Sequence, residues 1–234
     1  MINAKSLLDG LLGQVNSATG GQGVSGLAHK AKDAWDGQST LGKGAIAGGI
    51  LGLLFTDGGQ KLLKTGASVG GAAVIGGLAY KAYEDWKSGK SAQAADASPV
   101  ALPKPDGTVF LPSDASAADD LAKRLLQAMV AAAKADGHVT TREKARISEQ
   151  LALAGLTGEA ETLIRAELDA PLDPGRIATL ARSEEEAAEI YAASLLVVDP
   201  EAPAERDYLQ RLAARMGLDQ GLVDHLHAKA AQLA

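Results

Sequence analysis

Leu125-Leu-Gln-Ala-Met-Val-Ala-Ala-Ala-Lys-Ala-Asp136-Gly-His-Val-Thr-Thr-Arg-Glu143 decides the architecture. Its first half is an unbroken run of helix formers. Asp136-Gly137 then marks a turn, and Thr140 with Glu143 spells a capping box that starts the next helix. A second stretch repeats the plan: Ile190-Tyr-Ala-Ala-Ser-Leu-Leu-Val-Val-Asp199-Pro-Glu-Ala-Pro-Ala-Glu205. Each copy is an apolar helix, an Asp at its end, a short turn and a Glu early in the following helix. Paired helical hairpins of this kind can pack as pseudo-symmetric halves of one bundle.

The punctuation around these segments extends the helical reading to residue 234. Ser116 is placed to cap a helix with Asp119 and Asp120 in its first turn, and Leu121, Leu125, Met129 and Ala132 share its apolar face. Ser183 and Glu186 form a further capping box, so the run Glu184-Glu-Glu186 reads as a helix N-terminus. Asp173-Pro174 is a cap with proline at the first helical position. Pro203 opens a helix with Tyr208, Leu212 and Met216 inward. Asp219 caps the last, with Leu222, Val223, Leu226 and Ala230 inward. The expectation is about seven short helices and no alternating strand. With aromatic residues at only 3%, the core must rest on Leu, Ile, Val and Ala.

Upstream the character changes. Of 27 glycines, 20 lie in the first 90 residues. Gly44, Gly48 and Gly52 recur at every fourth position, as do Gly66 and Gly70. In a helix this spacing makes a smooth groove for a second helix, the small-xxx-small pattern of membrane interfaces. The apolar runs Gly44 to Phe55 and Gly66 to Tyr80 therefore read as a glycine-rich helical hairpin, inserted in a membrane or packed in water. Both fall short of the about 20 apolar residues of a full span, although flanking lysines can snorkel. Tyr80-Lys-Ala-Tyr-Glu-Asp-Trp86 suits an interfacial aromatic belt or the close of a soluble helix. The domain reading is residues 1–40, an amphipathic N-terminal helix and flexible region; 41–90, the hairpin; 91–115, a linker in which Gly107-Thr-Val-Phe-Leu111 is apolar enough to dock; and 116–234, an acidic helical domain.

Charge separates the two halves. Residues 1–98 carry 9 basic and 7 acidic side chains, whereas residues 99–234 carry 14 and 22. So acidic a domain argues against a nucleic-acid partner, while the basic half suits an anionic membrane surface. Cysteine is absent, which removes thiolate metal sites, disulfides and cysteine nucleophiles. Gly21-Gln-Gly-Val-Ser-Gly26 matches a dinucleotide fingerprint with no strand ahead of it. Gly66-Ala-Ser-Val-Gly70 matches a nucleophile elbow with no sheet to carry it. Neither is a site.

Ala135-Asp136-Gly137-His-Val139-Thr-Thr-Arg-Glu143 and Asp199-Pro-Glu-Ala-Pro-Ala-Glu205-Arg206-Asp-Tyr208-Leu209 resemble the two motifs of TerB-like (tellurite-resistance) helical domains. With Met1 to Leu12 and Lys61 to Trp86, the chain is similar to the YebE-like bacterial inner-membrane proteins, an uncharacterised family with a TerB-like domain. The resemblance implies a helical bundle that binds metal ions or serves as a stress-response scaffold at the membrane. Its acidic positions fall on Asp136, Glu143, Asp199 and Glu205, oxygen ligands suited to Ca²⁺ or Mg²⁺. The second turn departs from the pattern, with Pro200 in place of glycine and a shorter Asp–Glu spacing. An EF-hand loop is excluded by spacing. Turn formation at Asp136 and capping by Glu143 account for those residues without a metal. His225 and His227, two apart on one helix, face different ways and do not share a metal.

Three functional readings stay open. One is a non-enzymatic interaction or ion-sensing protein at the bacterial inner membrane, with lipid or membrane proteins as partners and its C-terminal domain on the cytoplasmic, lysine-flanked side. Another is a soluble scaffold that self-associates into a homo-oligomer through its glycine-rich segments. The third is a metal-dependent hydrolase.

Overall fold

The computed structural model describes residues 71–92, 103, 105–135, 137 and 159–232. Among these, seven helices follow in order: α1 (Gly71–Lys87), α2 (Ala115–Ala132), α3 (Glu159–Asp169), α4 (Pro174–Ala178), α5 (Glu184–Leu195), α6 (Pro203–Met216) and α7 (Gln220–Ala231). The described part is all-helical; its one β feature is an isolated bridge between Thr108 and Leu111.

Helix starts fall mostly where cap chemistry puts them. Ser183 Oγ accepts from the Glu186 amide at 3.2 Å. Asp173 accepts from Gly175 at 2.8 Å and Asp219 from Gly221 at 2.8 Å. α6 begins at Pro203 behind Ala202, without a side-chain cap. The start of α2 differs from expectation by two residues. Asp114, not Ser116, is its cap and accepts from the Ala117 amide at 2.9 Å. Both are good cap residues, and the carboxylate two positions earlier takes the first orphan amide, leaving Ser116 inside the helix. α6 ends at Gly217, which adopts the left-handed conformation (φ 68°) that terminates helices at little cost.

α5 is the axis of the bundle. Every residue from Glu186 to Leu195 is buried, and α1, α2, α6 and α7 all pack against it. A helix buried on every face must be surrounded by others. Ala187, Ala188, Ala192 and Ala193 let four neighbours come close. α2, the first copy of the internal repeat, packs directly on α5, the second. Tyr208 and Leu212 of α6, and Leu222 and Leu226 of α7, join the same core.

The sequence reading sets α1 apart, as the end of a hairpin over residues 41–90. Instead α1 lies in the bundle: Val74, Ile75, Leu78, Ala79, Ala82 and Tyr83 belong to the common core. The Tyr83 and Trp86 rings meet in a tilted contact with centroids 5.6 Å apart. Trp86 Nε1 donates to Asp219 at 3.0 Å, tying the end of α1 to the start of α7. The aromatic cluster thus closes a helix within the bundle. The glycines at 44, 48, 52, 66 and 70 lie outside the described residues. Among the described residues no helix is long and apolar enough to cross a membrane.

Between α1 and α2 the chain forms a short strap. Gly107 donates to Leu111 O at 2.9 Å and Thr108 to Pro105 O at 3.1 Å. Phe110 is buried, its ring 5.7 Å from Tyr80 and 5.8 Å from Tyr83. The apolar patch within the linker does dock, and its seat is α1.

Candidate functional site

Four carboxylates were expected to meet across the two hairpins. Asp136 and Glu143 lie outside the described residues. Asp199 and Glu205 are close, and their polar atoms organise the turn itself. Asp199 Oδ1 accepts from the Glu201 amide at 2.9 Å, and Glu205 Oε2 accepts from the Asp199 amide. Such reach-back from a residue in the first turn of α6 satisfies amides ahead of the helix. Among the described residues no group of three or more His, Asp or Glu side chains is placed to hold a metal ion.

The first motif is approached through Lys134, a buried residue just past the end of α2. Its ammonium donates to the carbonyls of Glu167 and Ala170 at 2.6 and 2.5 Å. A cation at the C-terminus of α3 meets the negative end of the helix dipole and its orphan carbonyls together. The chain is therefore pinned two residues before Asp136. In the sequence Lys134 is one polar residue in an alanine run, and nothing local reveals its role.

Two further polar clusters lie inside the bundle. Asp85 is 5% exposed and is approached by three lysines: Lys81 at 2.8 Å, Lys90 at 2.7 Å and Lys229 at 3.2 Å. Burial alone would raise its pKa, but hydrogen bonds from the three ammoniums outweigh this and hold the carboxyl well below the usual carboxylate range. The cluster joins α1 to α7. Beside it His225 Nδ1 lies 2.6 Å from Gly221 O and Nε2 lies 3.0 Å from Lys90 O. His227 turns the other way, to the Tyr191 hydroxyl at 2.9 Å, and burial lowers its pKa. The two histidines have separate partners, as their spacing requires.

The second cluster surrounds α5. Arg124 of α2 donates to Glu186 Oε1 at 3.2 Å, and Glu186 Oε2 accepts from the Arg182 amide at 2.8 Å. One turn further along, Glu189 is 0% exposed. Among the described residues neither of its oxygens has a hydrogen-bond partner. Burial first, then the neighbouring Glu186 charge, push its pKa well above the carboxylate range, against a smaller opposing effect of Arg124. Burial thus favours the protonated form of Glu189 in the core. The spacing of Glu186 and Glu189 along a buried helix was the available signal; the acidic run that Glu186 ends masked it.

DUF533, described as a family of proteins of unknown function, matches residues 40–230. The chain belongs to the DUF533 family. DUF533 is a TerB-like family, so the helical domain expected from the two acidic motifs is shown at this level. A relative from Yersinia enterocolitica, described as an uncharacterised protein in the ampR 5' region, is 36% identical over 106 residues, or 45% of this chain and 76% of the relative. No solved structure matches the chain.

Proposed function

We propose that this DUF533 chain is a non-enzymatic interaction or ion-sensing module that works at a membrane. Its acidic bundle senses or recruits, and the glycine-rich segment ahead of it provides attachment. The place of α1 in the core carries this reading. α1, the helix that follows the glycine-rich stretch in sequence, is built into the core through Ile75, Leu78, Ala79 and Ala82. A bundle whose own core holds the helix next to the attachment segment in sequence is kept near whatever that segment binds. The glycine spacing at 44, 48 and 52 and again at 66 and 70 favours a close helix partner in lipid or a membrane protein. Lysines on either side of the segment favour the inner, cytoplasmic face of a bacterial membrane. The ion is sensed in this reading by Asp136, Glu143, Asp199 and Glu205, with Ca²⁺ or Mg²⁺ the suited chemistry.

Cell fractionation tests the attachment. Full-length protein should sediment with membranes and resist a salt wash. Complete recovery in the soluble pool without detergent overturns it, and a discrete water-soluble oligomer there would replace it with a self-assembling scaffold. Calorimetric titration with Ca²⁺ and Mg²⁺ tests the ion: binding heat should be present in the native chain and lost in Asp136→Asn.

A further inference from the structure

His225 has an acceptor on each side of its ring. Nδ1 lies 2.6 Å from the carbonyl oxygen of Gly221, one turn earlier in α7. Nε2 lies 3.0 Å from the carbonyl oxygen of Lys90, just beyond the end of α1. A carbonyl oxygen only accepts, so each contact needs an N–H on the ring. Neutral imidazole has one N–H and one lone pair; imidazolium has two N–H groups. The placement is satisfied in full by the charged ring alone. At 5% exposure, the residue takes its partners from the protein.

We propose that His225 is a proton-dependent clamp between α7 and the turn at residues 88–91: protonated, it holds the Lys90 carbonyl, and neutral, it lets that carbonyl go. The proton lost is the one on Nε2, and it passes to solvent beside the exposed turn. Nδ1 keeps its hydrogen on the Gly221 oxygen, which is nearer and belongs to the same helix. A ring lone pair then faces a carbonyl oxygen, and the two repel. Lys90 and Ser91 are exposed, so the chain can move outward there and its carbonyl can bond to water. The ring is packed between helices and stays. Lys90 is where the chain leaves α1 for the strap at 105–111, so the clamp controls that exit.

The groups around the ring hold constant charge where histidine titrates, between about pH 5 and 8. From α1 and its end come Lys81 and Lys90, both on Asp85; from α7 comes Lys229, also on Asp85. Asp85 stays ionised because those ammoniums hold its carboxyl well below the usual range. Glu84 accepts from Tyr80, and Lys87 lies over the Tyr83 ring. On α5, Glu184 and Glu185 accept from Tyr83. On α7, Asp219 is taken by Trp86 and the Gly221 amide, and Asp224 by Gln220. Two groups on these helices can also change charge. His227 turns away to Tyr191, and Glu189 lies against Gly76, about 13 Å along α1 from Asp85.

The test is NMR on full-length protein labelled with ¹⁵N in histidine rings and ¹³C in lysine carbonyls, the Lys90 signal being assigned through the Ser91 nitrogen. At about pH 5 both His225 nitrogens should resonate as N–H. As pH rises to about 8.5, Nε2 should move to the unprotonated position while Nδ1 stays protonated. The Lys90 carbonyl should shift with the same midpoint to the position of a water-bonded carbonyl. His225→Gln keeps a donor at the ε position and should hold the Lys90 carbonyl unmoved across the range. The proposal is overturned if Nε2 is unprotonated at pH 5, if the Lys90 carbonyl does not move, if the two midpoints differ, or if the carbonyl moves equally in His225→Gln, which would assign the movement to His227 or Glu189. The first three outcomes need only the native sequence, so a misfolded variant does not shelter the proposal.

Discussion

Gly76 and Phe110 are in mutual contact through backbone: the Phe110 carbonyl oxygen stands 2.4 Å from where a Gly76 Cβ would be. Glycine inside a helix ordinarily costs about 1 kcal/mol relative to alanine. Here that cost gives the strap its seat on α1. The opposing atom is backbone and cannot rotate away.

Gly76→Ala should therefore destabilise the fold despite improving helix propensity. Overpacking costs about 1–3 kcal/mol, against a propensity gain of about 1 kcal/mol. The expected net loss is about 0–2 kcal/mol, seen as a lower urea midpoint at unchanged slope. A stabilised Gly76→Ala variant would mean that the strap is not closely seated.

Local chemistry made much of the fold legible. Asp173, Ser183 and Asp219 announced their helices because each accepts an amide within its own first turn. The inward faces of α6 and α7 followed from 3.6-residue periodicity. What stayed hidden depends on contacts between distant residues. Glycine content made α1 look like the end of a separate hairpin, yet the same smoothness fits it against α5 and α7. Lys134 and Glu189 each sit in an alanine-rich run where periodicity says only that the helix is buried. Their neighbours, the α3 C-terminus and Gly76 of α1, are far away in sequence. Of the four expected acidic residues, Asp199 and Glu205 were recognisable as a pair because the turn that joins them is local.

Asp85→Asn should weaken the junction of α1 and α7. Three ammoniums lose their charged acceptor, and hydrogen bonds to charged groups contribute about 1.5–3 kcal/mol. The loss should fall toward the low end because Lys90 is largely exposed. The Asp85 pKa is depressed in the folded state. Its stabilisation is therefore complete above the unfolded carboxylate pKa of about 4 and fades as pH falls toward the folded value. Thermal melts of variant and native protein should differ most at neutral pH and converge in strong acid. A constant difference across pH would exclude Asp85 as the source.

Glu189 predicts the opposite slope. Its folded pKa is raised, so the folded state keeps a proton that the unfolded chain has already released. Stability from this residue is complete below the unfolded value of about 4.3 and is lost as pH rises through the window up to the folded pKa. Glu189→Gln, neutral at every pH, should match the native protein near pH 4 and exceed it increasingly toward neutrality. Each pKa unit of displacement corresponds to about 1.4 kcal/mol. Denaturant midpoints of the pair across pH measure this directly. A variant less stable than the native protein at pH 8 would show that Glu189 is charged and paired in the fold.

Lys134→Met tests the link between the bundle and the first acidic motif. Methionine keeps the length of the buried stem but cannot donate to Glu167 O and Ala170 O. Carbonyls left without a buried partner should cost about 1–3 kcal/mol. Hydrogen exchange should quicken first at the C-terminal turn of α3, where the two acceptors lie. Because the chain is pinned at Lys134 just ahead of Asp136, the variant should also weaken any Ca²⁺ or Mg²⁺ binding heat while leaving the Asp199–Glu205 turn intact. Faster exchange in α3 with unchanged cation binding would separate the two roles: Lys134 would then serve as the cap of α3, and the acidic motif would be positioned by its own helix.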